Sequence, residues 1–531
     1  MEMTPEEFRD AARRTAEWVL RYREAVAEKP VKPRIDPGDV AARIPEGPPE
    51  KGEPFEAILA DMDEVVEPGL THWNHPRFFA YFPSNSSAPG VLAEFLAAAL
   101  NQNAMLWRTA PAATEMEERM TGWVRELVGL PSDFEGVILD TASTSSFTAL
   151  LAAREETGLE VRRRGLAGRT DLPPFLLYVS EQGHSSLEKA AMAAGLGRAG
   201  VRRVLADEDW RMDPGALDEM LREDREAGRM PVMVCATVGT TSTAAVDPVD
   251  EIADVCEEHD VWLHVDAAYA GPAAMVPELR DRFAGWGRAD SVVLNPHKWM
   301  ATPLDCSVLL FRDRDALRRS LALTPEYLES DEGARTDLMD FGLPLGRRFR
   351  ALKLWFLIRW YGAEGLRSLL RSHVRWARGF AEKLREDTRF ELAAPPSFST
   401  VCFRALPPGS VRGASKSDHE RYASRPRGDD GAGREEPGGE RPARSAGGDA
   451  APEKPSARPL DREEGVDELA ANELNRRLLR AVNDSGEAFL SHTELSGSRV
   501  IRLAVGGPYT RQEDVRRVRE LLGEKYDELT S

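Results

Sequence analysis

Apolar residues recur at helical spacing from the start of the chain. Phe8, Ala12, Thr15, Trp18, Val19 and Tyr22 share one side of a helical wheel with arginine and glutamate between them, which predicts an amphipathic helix over Met3–Ala27. Pro30–Pro54 is dense in proline, glycine and charge and reads as an extended arm. A terminal helix followed by such an arm has little of its own to cover its apolar side. It is expected to pack on another domain or another subunit. From Phe134 onward the pattern changes to short apolar runs: Val137–Leu139, then the strand candidates Phe175–Val179, Pro231–Ala236, Val261–Val265, Ser291–Leu294 and Ser307–Phe311. Helical stretches separate several of them. That alternation predicts an α/β domain around a mainly parallel sheet.

Gly346–Tyr361 opens a long helical region, and the pattern shifts again near Ala363. A strand at Thr400–Arg404, a helix at Leu469–Val482, a strand at Arg499–Val505 and a last helix at Gln512–Leu529 describe a smaller α+β domain. The expected division is therefore 1–87 as an N-terminal helical arm and dimerisation segment, 88–362 as the large α/β domain, and 363–531 as the small C-terminal domain. Within the last, Pro407–Arg462 has almost no aliphatic residues and is expected to be a disordered surface insertion, a tolerated loop expansion.

Composition narrows the partners. The 531 residues carry 42% hydrophobic and 30% charged positions, as a globular chain does, and a net charge of -19, which disfavours nucleic acid. Four scattered cysteines (Cys235, Cys256, Cys306, Cys402) form no C-x-x-C pair and no zinc-type spacing, so no metal is expected and a reducing cytoplasm fits. The first residues lack the apolar core of a secretion signal, and stretches such as Val91–Leu100 are too short to span a membrane. The cytoplasm is the expected location.

Candidate chemistry sits just past the strand candidates, where α/β sheets bind ligands. Lys298 follows Asn295-Pro296-His297 after Ser291–Leu294, and Asp266 ends the run from Val261. A lysine there is either a surface charge or a desolvated amine able to attack an aldehyde. An aspartate there is either a helix cap or the partner of a buried cation. Together they suit pyridoxal phosphate, whose aldehyde needs an amine and whose pyridine nitrogen needs an anion to become an electron sink. His184 stands at a strand-to-helix turn, as a structural hydrogen-bonder or as a ring lying flat on the cofactor. Thr141-Ala142-Ser143-Thr144-Ser145-Ser146 opens a helix, as ordinary caps or as a phosphate cup. Thr241 ends another strand candidate, either in a plain turn or against the phenolic oxygen of the cofactor.

The stretches THWNHPRFFAYFPSNSS, EQGHSS, ATVGTT, HVDAAYAG, NPHKWM and PLGRRFRALKLW resemble the aromatic L-amino acid decarboxylases, the group II pyridoxal-phosphate-dependent decarboxylases. The resemblance runs from about Met3 to Val505 apart from the insertion. It implies a fold type I enzyme (aspartate aminotransferase-like) that decarboxylates an amino acid as a homodimer, with the active site at the subunit interface. It implies Lys298 as the Schiff-base lysine, Asp266 as the pyridine-nitrogen partner and His184 as the stacking ring. Ala142, Ser143, Asn295 and Ser291 would hold the phosphate, Thr241 and Ala268 would touch the ring, and His297 completes the cofactor set. Tyr327 matches the mobile-loop tyrosine that returns a proton to the α-carbon. Tyr81, Phe82, Pro83 and Ser84 match the wall against the aromatic side chain, with Ser84 able to bond a ring hydroxyl, and Gly346 leaves room for an indole. Tryptophan, tyrosine or dihydroxyphenylalanine is the expected substrate. Met105 and Asn103 depart from the pattern of catechol-specific members, which keeps an aliphatic or phenylalanine-like substrate open. An aldehyde synthase with the same cofactor is the alternative activity, disfavoured because Tyr327 and His184 are both retained.

Overall fold

A computed structural model describes residues 2–323, 336–410 and 467–531. The apolar runs become a seven-stranded sheet of β1 (Glu135–Leu139), β2 (Phe175–Ser180), β3 (Val201–Val204), β4 (Met230–Thr237), β5 (Trp262–Asp266), β6 (Ser291–Leu294) and β7 (Ser307–Phe311), in the order β1-β7-β6-β5-β4-β2-β3. β7 runs antiparallel to both neighbours and the remaining pairs are parallel. The sheet is covered on both faces, so its strands read as continuous apolar runs. Leu176 and Tyr178 enter one core while Leu177 and Val179 enter the other, the period of two expected of a strand. Helix Ala142–Glu156 crosses the second face over β4 to β7.

The second sheet has four antiparallel strands, β8 (Phe390–Leu392), β9 (Thr400–Ala405), β10 (Ser491–Leu495) and β11 (Ser498–Ala504), in the order β10-β11-β9-β8. Helices Glu468–Ser485 and Gln512–Thr530 supply its core with Leu478, Val518 and Leu522 against Phe403 and Ile501. The helix joining the two sheets, Ala351–Glu386, breaks its dihedrals at Gly362 (φ 63), beside the expected division at 362/363. β10 is absent from the expected strands because its residues are mostly polar. The signal was in the turn: Ser496 (φ 47) and Gly497 (φ 83) both take the left-handed values of a tight hairpin.

The predicted N-terminal helix runs from Pro5 to Ala25, started by a capping box in which Thr4 and Glu7 exchange hydrogen bonds. Only Ala11 is buried on it, and Phe8 and Leu20 are exposed. Farther on, the arm threads beside the small sheet. Phe79 accepts from Ala504 N–H and donates to the Phe489 carbonyl, which delivers Tyr81–Ser84 toward the end of β6. Of the expected insertion, only 407–410 falls among the described residues, as a turn closed by Ser410 N–H on the Pro407 carbonyl. The remainder lies outside them.

Candidate active site

The carboxyl ends of β4, β5 and β6 are level. Thr237 pairs with Asp266, and Asp266 with Val293. Beyond them, Val238 N–H donates to the Asp266 carbonyl (2.9 Å) and Asn295 N–H to the Ala268 carbonyl (3.0 Å). This lacing places Asp266, Ala268, Asn295 and Lys298 around one edge of the sheet. The Asp266 carboxylate is 7% exposed and accepts from Ala268 N–H at 3.0 Å. Lys298 lies in the short helical turn Pro296–Trp299. Burial depresses its amine, Asp266 pulls the other way, and the Arg502 cation adds to the depression. His184 caps helix Ser185–Ala193, its Nδ1 accepting from Ser186 N–H (3.2 Å). The residue is exposed, yet burial by the surrounding protein lowers its pKa, while Asp266 and Lys298 act on it in opposite directions.

Ala142 and Ser143 are the first two residues of helix Ala142–Glu156. No side chain caps its start, leaving N–H groups and the positive end of the dipole for an anion. Asn295 is 2% exposed and its Oδ1 has no hydrogen-bond partner. Thr241 is exposed in the turn after β4, beside the Thr240–Thr243 hydroxyl pair. His297 is buried. Its Nδ1 accepts from Cys306 N–H (3.0 Å), which ties the lysine turn to β7, and its pKa is pushed down to about 4 by burial. A level strand edge, an uncapped helix start, an orphaned buried carboxamide and a desolvated lysine facing an aspartate match the phosphate, ring nitrogen and aldehyde of pyridoxal phosphate, so the residues fit the cofactor.

Ser291 does not join this group. It begins β6, at the opposite end of the strand from Asn295, and is fully buried. Its hydroxyl is bonded by Trp262 Nε1 (3.0 Å) and His264 Nδ1 (2.9 Å). A phosphate role for Ser291 is corrected to a structural one.

The expected substrate residues form two groups. Tyr81–Ser84 lies with Lys298: the amine is 5.6 Å from the Phe82 ring centroid, and Ser84 Oγ donates to the His297 carbonyl (3.0 Å). That commits the Ser84 proton, so the hydroxyl can only accept from a ligand. Phe82 stacks on Tyr269 (3.6 Å, 14°), Tyr269 on Trp299 (4.8 Å, 14°), and Trp299 on His373 (6.5 Å, 9°). This column runs behind the residues after Ala268 and Lys298, and it was not read from the sequence because the rings lie far apart along the chain. The second group is Met105 and Gly346. Met105 accepts from Met339 N–H, and Arg347 N–H donates to Asn103 Oδ1 (2.9 Å). A Cβ built on Gly346 meets no atom within 4 Å. Among the described residues no hydrogen bond or ring contact joins the two groups. Tyr327 lies outside the described residues.

Residues 37–406 match the family described as the pyridoxal-dependent decarboxylase conserved domain. This chain belongs to that family. Tryptophan decarboxylase 2 of Oryza sativa subsp. japonica is 37% identical over 97% of this decarboxylase-family chain and 93% of its own length. Phenylacetaldehyde synthase of Arabidopsis thaliana is 35% identical over 98% and 96%. The crystal structure of Oryza sativa TDC with PLP and tryptamine matches with a TM-score of 0.86 at 34% identity, covering 100% of both chains. The fold is that of the type I pyridoxal-phosphate enzymes, and the chain is a pyridoxal-dependent carboxy-lyase by family. No described helix is long and apolar enough to cross a membrane.

Proposed function

We propose that this protein decarboxylates an aromatic L-amino acid, with tryptophan, tyrosine and dihydroxyphenylalanine as the candidates, and that it works as a cytoplasmic homodimer. The observation that carries this reading is the meeting of Lys298 and Asp266 at the ends of β6 and β5, against the Phe82 ring. Similarity to a tryptophan decarboxylase along nearly the whole chain supports the aromatic class. Pyridoxal phosphate, when bound, supplies an aldehyde for the α-amine and a ring that accepts the electron pair left by departing carbon dioxide.

The chain does the rest. Lys298 is the covalent anchor, its amine kept reactive by desolvation. Asp266 holds a proton on the ring nitrogen. The N–H groups of Ala142 and Ser143 and the Asn295 carboxamide take the phosphate. Thr241 and Ala268 border the ring, His184 covers it, and His297 fixes the lysine turn through Cys306. Phe82, backed by Tyr269, with Tyr81, Pro83 and Ser84, faces the aromatic side chain. Tyr327 returns the proton to the α-carbon. Met105 and Gly346 close the pocket from the partner subunit. The three-part division assigns 1–87 to a dimerisation arm, 88–362 to the large cofactor-binding domain and 363–531 to a small C-terminal domain.

The second reading, an aldehyde synthase, is favoured by the phenylacetaldehyde synthase likeness and opposed by the retention of both Tyr327 and His184. One assay separates them. Purified protein with pyridoxal phosphate is offered a panel of amino acids and the products are identified by mass. Amine and carbon dioxide without oxygen uptake support decarboxylation, whereas aldehyde, ammonia and peroxide overturn it. Lys298→Ala is the control and abolishes turnover.

A further inference from the structure

Arg502 is on β11, near the middle of the small sheet, and is 3% exposed. An arginine cannot shed its charge in a protein, and a buried cation without an anion is strongly unfavourable. Among the described residues no carboxylate forms an ion pair with Arg502. Burial opposes its charge, and Nη2 has no hydrogen-bond partner.

What it does touch is informative. Nη1 donates to the Tyr81 carbonyl. Nε donates to the Ser242 carbonyl (3.0 Å), the residue after Thr241. The guanidinium carbon lies 4.2 Å from the Phe82 ring centroid. Tyr81 is left-handed (φ 55), a conformation that is unfavourable for a residue carrying a Cβ. Its N–H is also held, by Ser491 Oγ on β10 at 3.1 Å. The small sheet thus grips the peptide units on both sides of a strained residue, and the ring that follows lies over the lysine amine.

We propose that Arg502 is a positioning residue for the amino-acid pocket, locking the Tyr81–Phe82 segment and the Thr241 turn around Lys298. A planar fork suits this, because it can donate to two carbonyls while lying on an aromatic face, and a lysine cannot. Its charge has a second effect. The charged groups that act on the Lys298 amine are Asp266 on β5 and Arg502 on β11, while His184 at its helix start and His297 in the same turn feel the lysine's charge in return. Among them Arg502 opposes protonation of the amine and Asp266 favours it.

This inference rests on Lys298 being the cofactor lysine, and the test keeps the two claims apart. Full-length protein stripped of cofactor is treated with a small amine-acylating reagent across pH, and the Lys298 peptide is followed by mass. Arg502→Gln shifts the midpoint of Lys298 labelling to higher pH, and Arg502→Lys, which keeps the charge, leaves it near the wild-type value. In the holoenzyme, Arg502→Lys raises KM for the aromatic substrate roughly tenfold or more, the worth of a charged hydrogen bond, with a smaller change in kcat. Wild-type KM in Arg502→Lys overturns the positioning role, and that variant alone decides if Arg502→Gln fails to fold. An unmoved midpoint in Arg502→Gln overturns the electrostatic effect. Absence of turnover in the wild type would sink the functional reading and leave the labelling result standing.

Discussion

A buried polar atom without a hydrogen bond costs about 1–3 kcal/mol, and Asn295 carries one in its carboxamide beside the lysine turn. If that group belongs to the cofactor phosphate, Asn295→Ala weakens pyridoxal phosphate affinity roughly tenfold or more while improving or sparing the stability of the cofactor-free protein. Absorbance titration of the cofactor reads the first, and thermal melting without cofactor the second. Unchanged affinity would remove Asn295 from the phosphate site. Lys298, Asp266 and Asn295 were legible in the sequence because each follows an apolar run, and runs in a parallel sheet end at the ligand-binding edge. Ser291 misled because it begins the run, a full strand length from that edge. Arg502 carried a faint signal, a lone charge inside the apolar stretch Val500–Val505. Nothing local says whether such a charge faces solvent or a pocket.

Between elements, one buried ion pair holds the second half of the expected pocket. Arg347 Nη2 donates to Glu117 Oε1 (2.6 Å) and to the Ile138 carbonyl (2.7 Å), and Nη1 to the Leu338 carbonyl (3.0 Å). Glu117 Oε1 also accepts Ile138 N–H (2.8 Å). Helix Pro111–Val128, β1 and the segment after residue 336 are thereby joined beside Gly346. Glu117→Gln leaves the guanidinium buried without an anion and is expected to destabilise by about 3–5 kcal/mol. Denaturant melts measure that, with the double variant Glu117→Met/Arg347→Met recovering most of the loss. A neutral Glu117→Gln would mean the pair is solvated. Helix positions were readable from spacing, but this cross-link was not, since its members are far apart in sequence.

For the molecule as a whole, two expectations follow. Helix Ala88–Leu100 exposes Leu92, Phe95, Leu96 and Leu100, spaced as one helical face, and the N-terminal helix exposes Phe8 and Leu20. Apolar faces of that size mark an interface. Leu92→Lys with Phe95→Glu is expected to halve the mass seen by light scattering at micromolar concentration and to remove activity; an unchanged dimer mass would place the interface elsewhere. Acid stability is the second. His75, His264, His297 and His373 are all buried, and burial lowers each to about 4. Their folded pKa values lie below the unfolded ones, so their contribution is complete above about pH 6.5 and is lost as pH falls toward 4. Each is worth at most about 3 kcal/mol. Urea midpoints should drop steeply between pH 6.5 and 5, and a flat profile there would show that the four imidazoles are solvated.

By itself the sequence determined the α/β alternation, most strands of the large sheet and the candidacy of Lys298 and Asp266, because apolar period and residue chemistry are local properties. Only the tertiary structure decided which strand ends lie level, that Ser291 begins its strand far from that edge, and that an arginine some two hundred residues after Lys298 shares the Phe82 ring with it. Those outcomes depend on sheet order and on the docking of the small sheet against the large one, contacts that close only after the chain has folded back on itself.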